Sequence, residues 1–438
     1  MKLNKNILGS LIWRGAYFAT VFVLNIVIAR YFKAAGSGWI YYVTSYFSFI
    51  ILLVSFCLES GMTFFAASNT IGRGRLSLFA FSWSIVVSLL VATVLLLFST
   101  ERGSMISKNE FAVLAGMYTC GVLLTTYYSS LFYASQDFEL PNLLLTGVNL
   151  VLLLVAGLII WLDHGGEAQR HFLQLYFFSF LLQGLLLAVV YIVRNKLFGI
   201  GGFLTGHELQ MLLRYSLFAF FSNIVFFLLY RVDYWFVKNY CTVCQPADLG
   251  AYIQASKLGQ LFLVLPAMIA NVLFPATAGG SRSVVNSLLP VLCRVFLCVY
   301  IIILLPIIAI GGWLFPFVFG DSFNGMYLPF VLLIPGVLSL SCLAFVSAYF
   351  AGKDKVRVNL VGSLLALIVV LGGDILFIPR YGIQGAAAVS SLAYITCYLY
   401  SLFRFKADYG KGLRHFFVPQ RNDFVTVYNY LVQRFKPA

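Results

Sequence analysis

Runs of about 20 apolar residues recur along the whole 438-residue chain, separated by short polar connections. A run of that length spans the hydrocarbon core of a bilayer as an α-helix. Only 10% of the residues are charged and 61% are hydrophobic, whereas a soluble domain carries about a quarter charged residues. The sequence therefore predicts an integral membrane protein built of helices, because helices satisfy their own backbone hydrogen bonds in lipid.

We count twelve such runs. They lie near residues 7–30, 38–60, 76–99, 111–134, 141–161, 171–193, 209–232, 248–275, 288–312, 327–350, 357–378 and 385–405. The first run is too long for a cleavable signal peptide, and no small-residue cleavage site follows it. We therefore predict an all-α protein of about twelve transmembrane helices.

The longest connection on the predicted cytoplasmic side is "RNKLFGIGGFLTGHE", residues 194–208. It divides the chain into an N-terminal six-helix lobe (1–194), a connector (195–208), a C-terminal six-helix lobe (209–405) and a basic tail (406–438). Equal halves joined in this way are typical of transporters built from a parallel repeat with a substrate path between the lobes. The repeat is inferred from hydropathy alone.

Lysine and arginine are distributed unevenly between the two faces of the predicted bundle. Seventeen lie in the termini and in the loops on their side, against eight on the opposite side. Since cytoplasmic loops carry the excess of positive charge, we predict that both termini are cytoplasmic. The net charge of +14 is scattered over loops without forming a patch, which argues against nucleic-acid binding.

Arg14 is a cation inside the first predicted helix, with Asn25 on the same face eleven residues later. One interpretation is an arginine that snorkels back to the cytoplasmic headgroups. The other is a cation that lines a water-filled cavity, as intramembrane charges usually do. Asn25 extends the polar face deeper and favours the cavity.

The second predicted helix carries a polar stripe at helical spacing, formed by Tyr41, Ser45, Ser48, Ser55 and Glu59. Its inward course brings Glu59 near the depth of Arg14. We expect that the two can form an ion pair, which would lower the free-energy cost of either charge. The simpler alternative is that Glu59 caps the cytoplasmic end of the helix.

Lys257 is the deepest charge, about 13 Å into its helix at 1.5 Å per residue, with Gln260 one turn later. We expect it to face a lumen; the alternative is a structural ion pair. Arg214 and Arg294 lie nearer the inner ends of their helices and are possible cavity cations. A cationic interior would suit a phosphate or diphosphate.

Acidic groups are fewer within the predicted spans. We place Asp233 and Asp374 near outer helix ends, where solvation by the interface explains them. Asp374 follows Gly372 and Gly373, so the alternative for this residue is that it faces a neighbouring helix.

Features of an enzyme or a metal site are sparse. The four histidines lie in loops or at helix ends, and no carboxylate pair has metal-ligand spacing. Cys241 and Cys244, in "CTVC" on the predicted outer side, are weak indicators of zinc; a disulfide and two free thiols both stay open. We predict a non-enzyme without a cofactor or metal, although a coupling ion, H⁺ or Na⁺, is possible.

Three stretches together resemble the polysaccharide flippases, the family that moves O-antigen and other lipid-linked oligosaccharides. They are "IARYFKAAGSGWIYYVTSYFSF" (28–49), "RVDYWFVKNY" followed by "ADLGAYIQASKLGQLFLVLPAMIANVLFPATA" (231–278), and "PRYGIQGAAAVSSLAY" (379–394). The second is similar to the family's seventh and eighth helices, in which an aspartate precedes Gly-x-Tyr-x-x-Ala-x-Lys. The combination extends over essentially the whole chain.

The resemblance implies a two-lobe transporter of the multidrug/oligosaccharidyl-lipid/polysaccharide exporter superfamily, with a fold like that of multidrug and toxin extrusion proteins. It implies that undecaprenyl-diphosphate-linked repeat units cross the bacterial inner membrane for surface polysaccharide synthesis. Arg14 and Lys257 would hold the diphosphate, while Asn25, Tyr41 and Gln260 would meet the sugar. A polysaccharide polymerase and a chain-length regulator are possible partners.

Two other function classes stay open. A cation-coupled drug exporter of the same fold would need a deep carboxylate in the N-terminal half, and Glu59 lies too close to the inner end to fit well. A membrane polymerase or ligase would need a sizeable outer loop, and the outer loops here are short.

Overall fold

The computed structural model of the protein describes residues 2–98, 106–162, 168–197, 202–278, 282–409, 413–418, 420 and 423. In these ranges the regular elements are all helices, which confirms the predicted all-α class. Residues 198–201 of the predicted connector and most of the predicted tail lie outside the described residues.

Twelve α-helices and two short 3₁₀ helices follow one another along the described chain. The α-helices are α1 Lys2–Ser55, α2 Leu58–Ala67, α3 Arg73–Phe98, α4 Lys108–Ala134, α5 Glu139–Leu162, α6 Ala168–Arg194, α7 Gly206–Tyr240, α8 Pro246–Leu261, α9 Val264–Ala278, α10 Arg282–Phe319, α11 Tyr327–Gly352 and α12 Val356–Tyr409. The 3₁₀ helices are Asp321–Met326 and Leu413–Phe416.

Ten stretches of the described chain are helical, long and apolar enough to cross a bilayer, as expected of a multi-pass membrane protein. Two of them belong to α1 and α12, which contain 54 residues each, or about 80 Å at 1.5 Å per residue. Each has one non-helical residue, Lys33 in α1 (φ 57°) and Gly382 in α12 (φ 57°). Each helix is long enough for two crossings of a core about 30 Å thick, and counting each of them twice gives the predicted twelve.

Two predicted helices are interrupted in the structure. The one expected over 38–60 breaks where Phe56 and Cys57 adopt left-handed backbone angles (φ 47° and 51°), and α2 begins directly afterwards. The one expected over 248–275 is divided into α8 and α9. Pro266 lies in the first turn of α9, where proline's missing N–H has no helical partner to lose.

By its internal contacts the chain divides into two compact units. Unit 1 comprises Met1–Phe32 and Val43–Ile224, and unit 2 comprises Lys33–Tyr42 and Val225–Ala438. Helices α1 and α7 therefore contribute residues to both units. The lobe boundaries inferred from hydropathy stay a prediction.

Unit 1 owes part of its packing to glycine. A Cβ on Gly121 of α4 would overlap the backbone of Phe180 in α6, and one on Gly184 of α6 would overlap the carbonyl oxygen of Gly121. Small residues of this kind let two helices approach closely in lipid. Beside this contact, the rings of Phe47 and Tyr118 pack with their centres 5.8 Å apart.

Unit 2 uses glycine to seat a short piece of α1 on the beginning of α8. A Cβ on Gly250 would overlap the carbonyl oxygen of Ala34, and one on Gly38 would lie 2.6 Å from the backbone nitrogen of Gly250. The backbone N–H of Ala34 also donates to Ser322 Oγ at 3.0 Å. This contact fixes the segment 33–42, and with it Tyr41, against α8.

Candidate functional site

Unit 2 contains a group of polar side chains within its membrane-spanning helices, which we call the cationic cluster: Tyr41, Arg231, Tyr234, Lys257 and Gln260. Arg231 Nη1 donates to the Tyr234 hydroxyl at 2.9 Å, and Nη2 donates to Gln260 Oε1 at 3.1 Å. The Arg231 guanidinium also lies 5.2 Å from the centre of the Tyr234 ring. Because Arg231 and Tyr234 are three residues apart on α7, they share one helix face.

Lys257 of α8 completes the cluster from the other side. Its ammonium lies 3.4 Å from the centre of the Tyr41 ring, and Tyr41 is buried, with 1% of its surface exposed. A cation over an aromatic face gains most when the pair is desolvated. The structure thus brings together three residues that the sequence singled out separately, Tyr41, Lys257 and Gln260.

Arg231 was missed from the sequence because it lies at the end of the helix predicted over 209–232 and was counted among the eight basic residues of the outer side. The helix predicted to end at 232 continues to Tyr240, so Arg231 lies more than two turns inside it. The available signal was the stretch "LLYRVDYWFVKNY", which stays apolar and aromatic on both sides of its charges.

The cluster is suited to an anion. The two groups to which Arg231 donates hydrogen bonds are neutral, and the guanidinium also interacts electrostatically with Asp233 and with Lys257. A guanidinium, an ammonium and an amide within two neighbouring helices are groups that bind phosphate oxygens. In a membrane segment, charges of this kind mark binding sites or transport paths.

A second feature of unit 2 is a buried carboxylate pair, Asp233 of α7 and Asp374 of α12, with 2% and 0% of their surfaces exposed. Asp233 accepts hydrogen bonds from the Tyr252 hydroxyl, from Ser390 Oγ at 3.2 Å and from the Tyr234 N–H at 2.9 Å. Both carboxylate oxygens of Asp374 are buried without a hydrogen-bond partner among the described residues. Asp374 also interacts electrostatically with Asp233.

This burial corrects our expectation that Asp233 is solvated at an outer helix end, and for Asp374 it favours the alternative that the side chain faces a neighbouring helix. Sequence position along a helix indicates depth in the membrane, but it does not show what packs against the side chain. An unpaired buried carboxylate has a high free energy unless it binds a proton or a cation. Asp374 thus differs from Asp233, whose carboxylate is compensated by three hydrogen bonds.

In unit 1 the predicted residues of the first helix lie apart from a comparable cluster. Arg14 is exposed on α1, and its field reaches Tyr133 of α4. Asn25 donates through Nδ2 to the carbonyl of Val21 at 2.8 Å within its own helix. The assignment of both residues to a substrate site stays a prediction.

Glu59 lies in the first turn of α2, next to the left-handed Phe56 and Cys57. The expected ion pair between Arg14 and Glu59 is absent from the part of unit 1 that the structure describes, and Glu59 Oε2 is buried without a hydrogen-bond partner. The break before α2 explains the difference, because it ends the continuous stripe on which the predicted pairing depended. Ser48 and Ser55 of that stripe donate to carbonyls of their own helix, at 2.7 and 3.2 Å.

The two possible cavity cations have different environments. Arg214 is exposed on α7. Arg294 of α10 is 4% exposed and binds Asp423 of the C-terminal tail through Nε and Nη2, at 2.7 and 2.6 Å, while Nη1 donates to the carbonyl of His415. In this structure Arg294 is therefore occupied by the tail, a contact between residues 129 positions apart that helix periodicity cannot indicate.

The close cysteine pair forms a disulfide, Cys241–Cys244, in the loop between α7 and α8. The loop packs on the break in α12, since Thr242 Oγ1 donates to the carbonyl of Pro379 at 2.7 Å. Among the described residues, no group of three His, Cys, Asp or Glu side chains is placed to hold a metal ion.

Comparison with solved structures shows which fold this is. The chain is similar to a structure described as "Lipid II flippase MurJ, inward closed conformation", with a TM-score of 0.69 and 16% identity over 98% of this chain and 93% of that one. It is also similar to an inward-facing multidrug resistance MATE family transporter of the MOP superfamily (TM-score 0.63, 16% identity, 90% and 95% of the two chains). A third is the MATE transporter VcmN of Vibrio cholerae in its bent form (0.61, 13%, 93% and 97%).

The chain therefore shares the fold of these MurJ and MATE structures, as expected from the sequence. No protein-family model matches the chain, and no curated protein matches it. At 13–16% identity the structural likeness extends to the fold alone.

Proposed function

We propose that this protein is a flippase that carries undecaprenyl-diphosphate-linked oligosaccharide repeat units from the inner to the outer leaflet of a bacterial cytoplasmic membrane. The observation that supports this most is the cationic cluster, in which Arg231 and Lys257 share a membrane-embedded region with Gln260 and Tyr41. A diphosphate needs several donors to replace its water when it leaves the headgroup region. Fixed cations with an amide beside them meet that need.

The diphosphate and the sugar of the substrate then have separate sets of contacts. Lys257, with Arg231 beside it, and Arg14 hold the diphosphate. Asn25, Tyr41 and Gln260 meet the sugar, and Glu59 accepts hydrogen bonds from its hydroxyls. Transport proceeds by alternating access, with both termini in the cytoplasm and the glycan delivered for O-antigen or a similar surface polysaccharide. A polymerase and a chain-length regulator would receive it.

Asp233 and Asp374 supply the coupling site in this proposal. Binding of H⁺ or Na⁺ neutralises a carboxylate pair that is otherwise buried with too little compensation. Asp233 and Arg231 are two residues apart on α7 and interact electrostatically. Binding or release of an ion at Asp233 therefore changes the electrostatic potential at the cationic cluster. This links the coupling ion to the substrate through one helix.

The test is a measurement of lipid-linked oligosaccharide in both leaflets of cells that lack the gene. Inner-leaflet accumulation of diphosphate-linked repeat units, with loss of surface glycan, is expected. Complementation with Lys257→Ala should restore surface glycan to about one tenth of the wild-type level or less. Lys257→Arg should retain most of the wild-type level, because arginine keeps the positive charge. Lys238→Ala is the matched control, since Lys238 lies over the Tyr42 ring at 4.0 Å outside the cationic cluster.

A drug exporter of the same fold is the second candidate. The buried carboxylates Asp233 and Asp374 would supply its ion coupling from the C-terminal half, whereas the sequence analysis expected such a group in the N-terminal half. Unchanged glycan together with new sensitivity to cationic drugs would establish that function instead. A glycan polymerase or ligase is the third candidate. Accumulation of single repeat units in the outer leaflet would identify it.

A further inference from the structure

Unit 1 contains a groove, which we call the outer groove, on the surface formed by α4, α5 and α6. Its volume is about 610 Å³, within the range of small-molecule sites. The lining residues repeat at helical spacing, with Val113 and Met117 on α4, Val155 and Ile159 on α5, and Phe178 on α6. Val113 and Phe178 are 55% and 44% exposed, so the groove is open to the medium around these membrane-spanning helices.

The outer groove is polar at one end only. Asn109, Glu110, His171 and Gln174 all lie in the first two turns of α4 or α6, and the deeper lining is apolar. From Asn109 to Met117, α4 rises about 12 Å, which is less than half of the roughly 30 Å hydrocarbon core. The groove therefore runs from one membrane interface into a single leaflet.

At the polar end, Arg170 has N–H donors that are not bonded to Glu110, whereas both carboxylate oxygens of Glu110 already accept hydrogen bonds. Glu110 accepts from Arg170 Nε at 3.0 Å, from Gln174 Nε2 at 3.2 Å and from the Ser107 N–H at 2.9 Å. Arg170 remains 55% exposed and has five N–H donors, of which two are bonded to Glu110. Both α4 and α6 begin at this end, and helix N-termini favour anions.

We propose that the outer groove binds one glycerophospholipid, with an acyl chain against Val113, Met117, Ile159 and Phe178 and the phosphodiester at Arg170 and His171. The occupant is a resident membrane lipid, distinct from any transported substrate. Its phosphate finds donors that Glu110 has not used, and its chain covers apolar surface that α4, α5 and α6 leave open.

A second groove on the same unit provides an internal comparison. It has a volume of about 470 Å³ and lies along α5 and α6, between residues such as Leu144, Val151, Leu182 and Leu186. Its lining contains no ionisable residue. An acyl chain can fill it, but it offers a phosphate nothing to bind, so headgroup selectivity should come from the outer groove alone.

The experiment uses the purified full chain and two probes with identical acyl chains, dioleoyl phosphatidylglycerol and dioleoylglycerol, which lacks the phosphate. Retained lipid is counted by native mass spectrometry during detergent washing. We expect the wild type to retain one phosphatidylglycerol at about tenfold lower added lipid than dioleoylglycerol, the factor that one hydrogen bond to a charged group can supply. Arg170→Gln should bring the two probes to parity.

Filling the groove tests its location. Val113→Trp should abolish retention of the selective lipid. Val94→Trp is the matched control, because Val94 is 45% exposed on α3 and lines neither groove, and it should retain the lipid. A phosphatidylglycerol with a photoreactive acyl chain should cross-link in the wild type to α4, α5 or α6, which gives a result even if a variant fails to fold.

Three results would overturn the proposal: equal retention of both probes by the wild type, cross-links confined to other helices, or retention that survives Val113→Trp. Displacement of phosphatidylglycerol by undecaprenyl diphosphate in the wild type would also overturn it, because the groove would then belong to a transported lipid. If the wild-type protein does not transport glycan but retains the phospholipid, the proposed function is contradicted and this inference stands.

Discussion

Asp374 is the side chain whose environment departs most from what its sequence position indicates. It follows Gly372 and Gly373 in an apolar run, and the sequence suggests interfacial solvation, yet it is buried without a hydrogen-bond partner among the described residues. Desolvation of a charge without compensation costs several kcal/mol. Binding of a proton or a cation would offset this cost.

Asp374→Asn should remove that cost and the ion response together. We expect a melting temperature in sodium-free buffer that is equal to or above that of the wild type, because the buried charge is gone. We also expect the stabilisation by added Na⁺, and the dependence of transport on Na⁺ or pH, to disappear. Thermal unfolding across a sodium titration measures this.

Asp408→Asn is the matched control for that experiment. Asp408 pairs with Lys355 at 2.6 Å near the membrane surface, where loss of a partly exposed ion pair costs at most about 1 kcal/mol. The ion response should persist in this variant. An Asp374→Asn protein that is stabilised by Na⁺ as much as the wild type would contradict the assignment of the coupling site.

Helix packing around Gly250 positions Tyr41 for Lys257. A Cβ at Gly250 would overlap the carbonyl oxygen of Ala34, so Gly250→Ala must move the segment 33–42 away from α8. We expect a loss of about 1–3 kcal/mol in stability and reduced transport, since Tyr41 would leave the Lys257 ammonium. Unfolding in denaturant and a glycan assay measure the two effects.

Gly157→Ala separates this packing effect from a general effect of replacing glycine in a helix. Gly157 lies in α5 with nothing within 4 Å of an added Cβ. Alanine there should stabilise the helix by roughly 0.5–1 kcal/mol and leave transport unchanged. Equal effects of the two substitutions would rule out the seating role of Gly250.

The Arg294–Asp423 pair anchors the tail to α10. Burial disfavours the charged form of Asp423, but hydrogen bonds from Arg294 and from the Gln420 N–H outweigh burial, and the pKa of the carboxyl lies below its usual value. The pair therefore contributes stability above the ordinary aspartate pKa of about 3.9, and this contribution is lost as the pH falls through the lower folded pKa.

Asp423→Asn should release the tail at neutral pH. It leaves Arg294 as a buried cation without a counter-charge, which costs about 3–5 kcal/mol unless the tail leaves and water reaches the guanidinium. We expect faster hydrogen exchange in 413–418 with little change elsewhere. Replacing both partners by Arg294→Met and Asp423→Leu should protect the segment better than the single change; the opposite order would show that the ion pair is not the anchor.

The positions of the membrane-spanning helices were predicted well from the sequence, whereas the contacts of the buried polar side chains were predicted poorly. Apolar runs report where helices lie in a bilayer, and the polar gaps near 33 and 382 indicated both breaks in the long helices. Lateral packing leaves no such periodic signal. The burial of Asp233 and the contact of Arg294 with Asp423 both depend on which helix lies beside which, so hydropathy could not indicate them.

For the molecule as a whole, the direction of transport depends on its orientation in the membrane, which the charge bias predicts and the disulfide can test. Cys241–Cys244 lies on the predicted outer face, and the six other cysteines are buried or half-buried. In intact cells whose outer membrane has been opened, a membrane-impermeant maleimide should label Cys241 and Cys244 only after treatment with an impermeant reductant. Asp354→Cys, in the tight turn between α11 and α12 on the predicted cytoplasmic side, should be labelled only after the inner membrane is permeabilised.

Labelling of Asp354→Cys before permeabilisation, with protection of Cys241 and Cys244, would show the opposite orientation. The disulfide loop would then lie on the cytoplasmic side of the membrane. The proposed inner-to-outer direction would be wrong even if the cationic cluster binds a diphosphate.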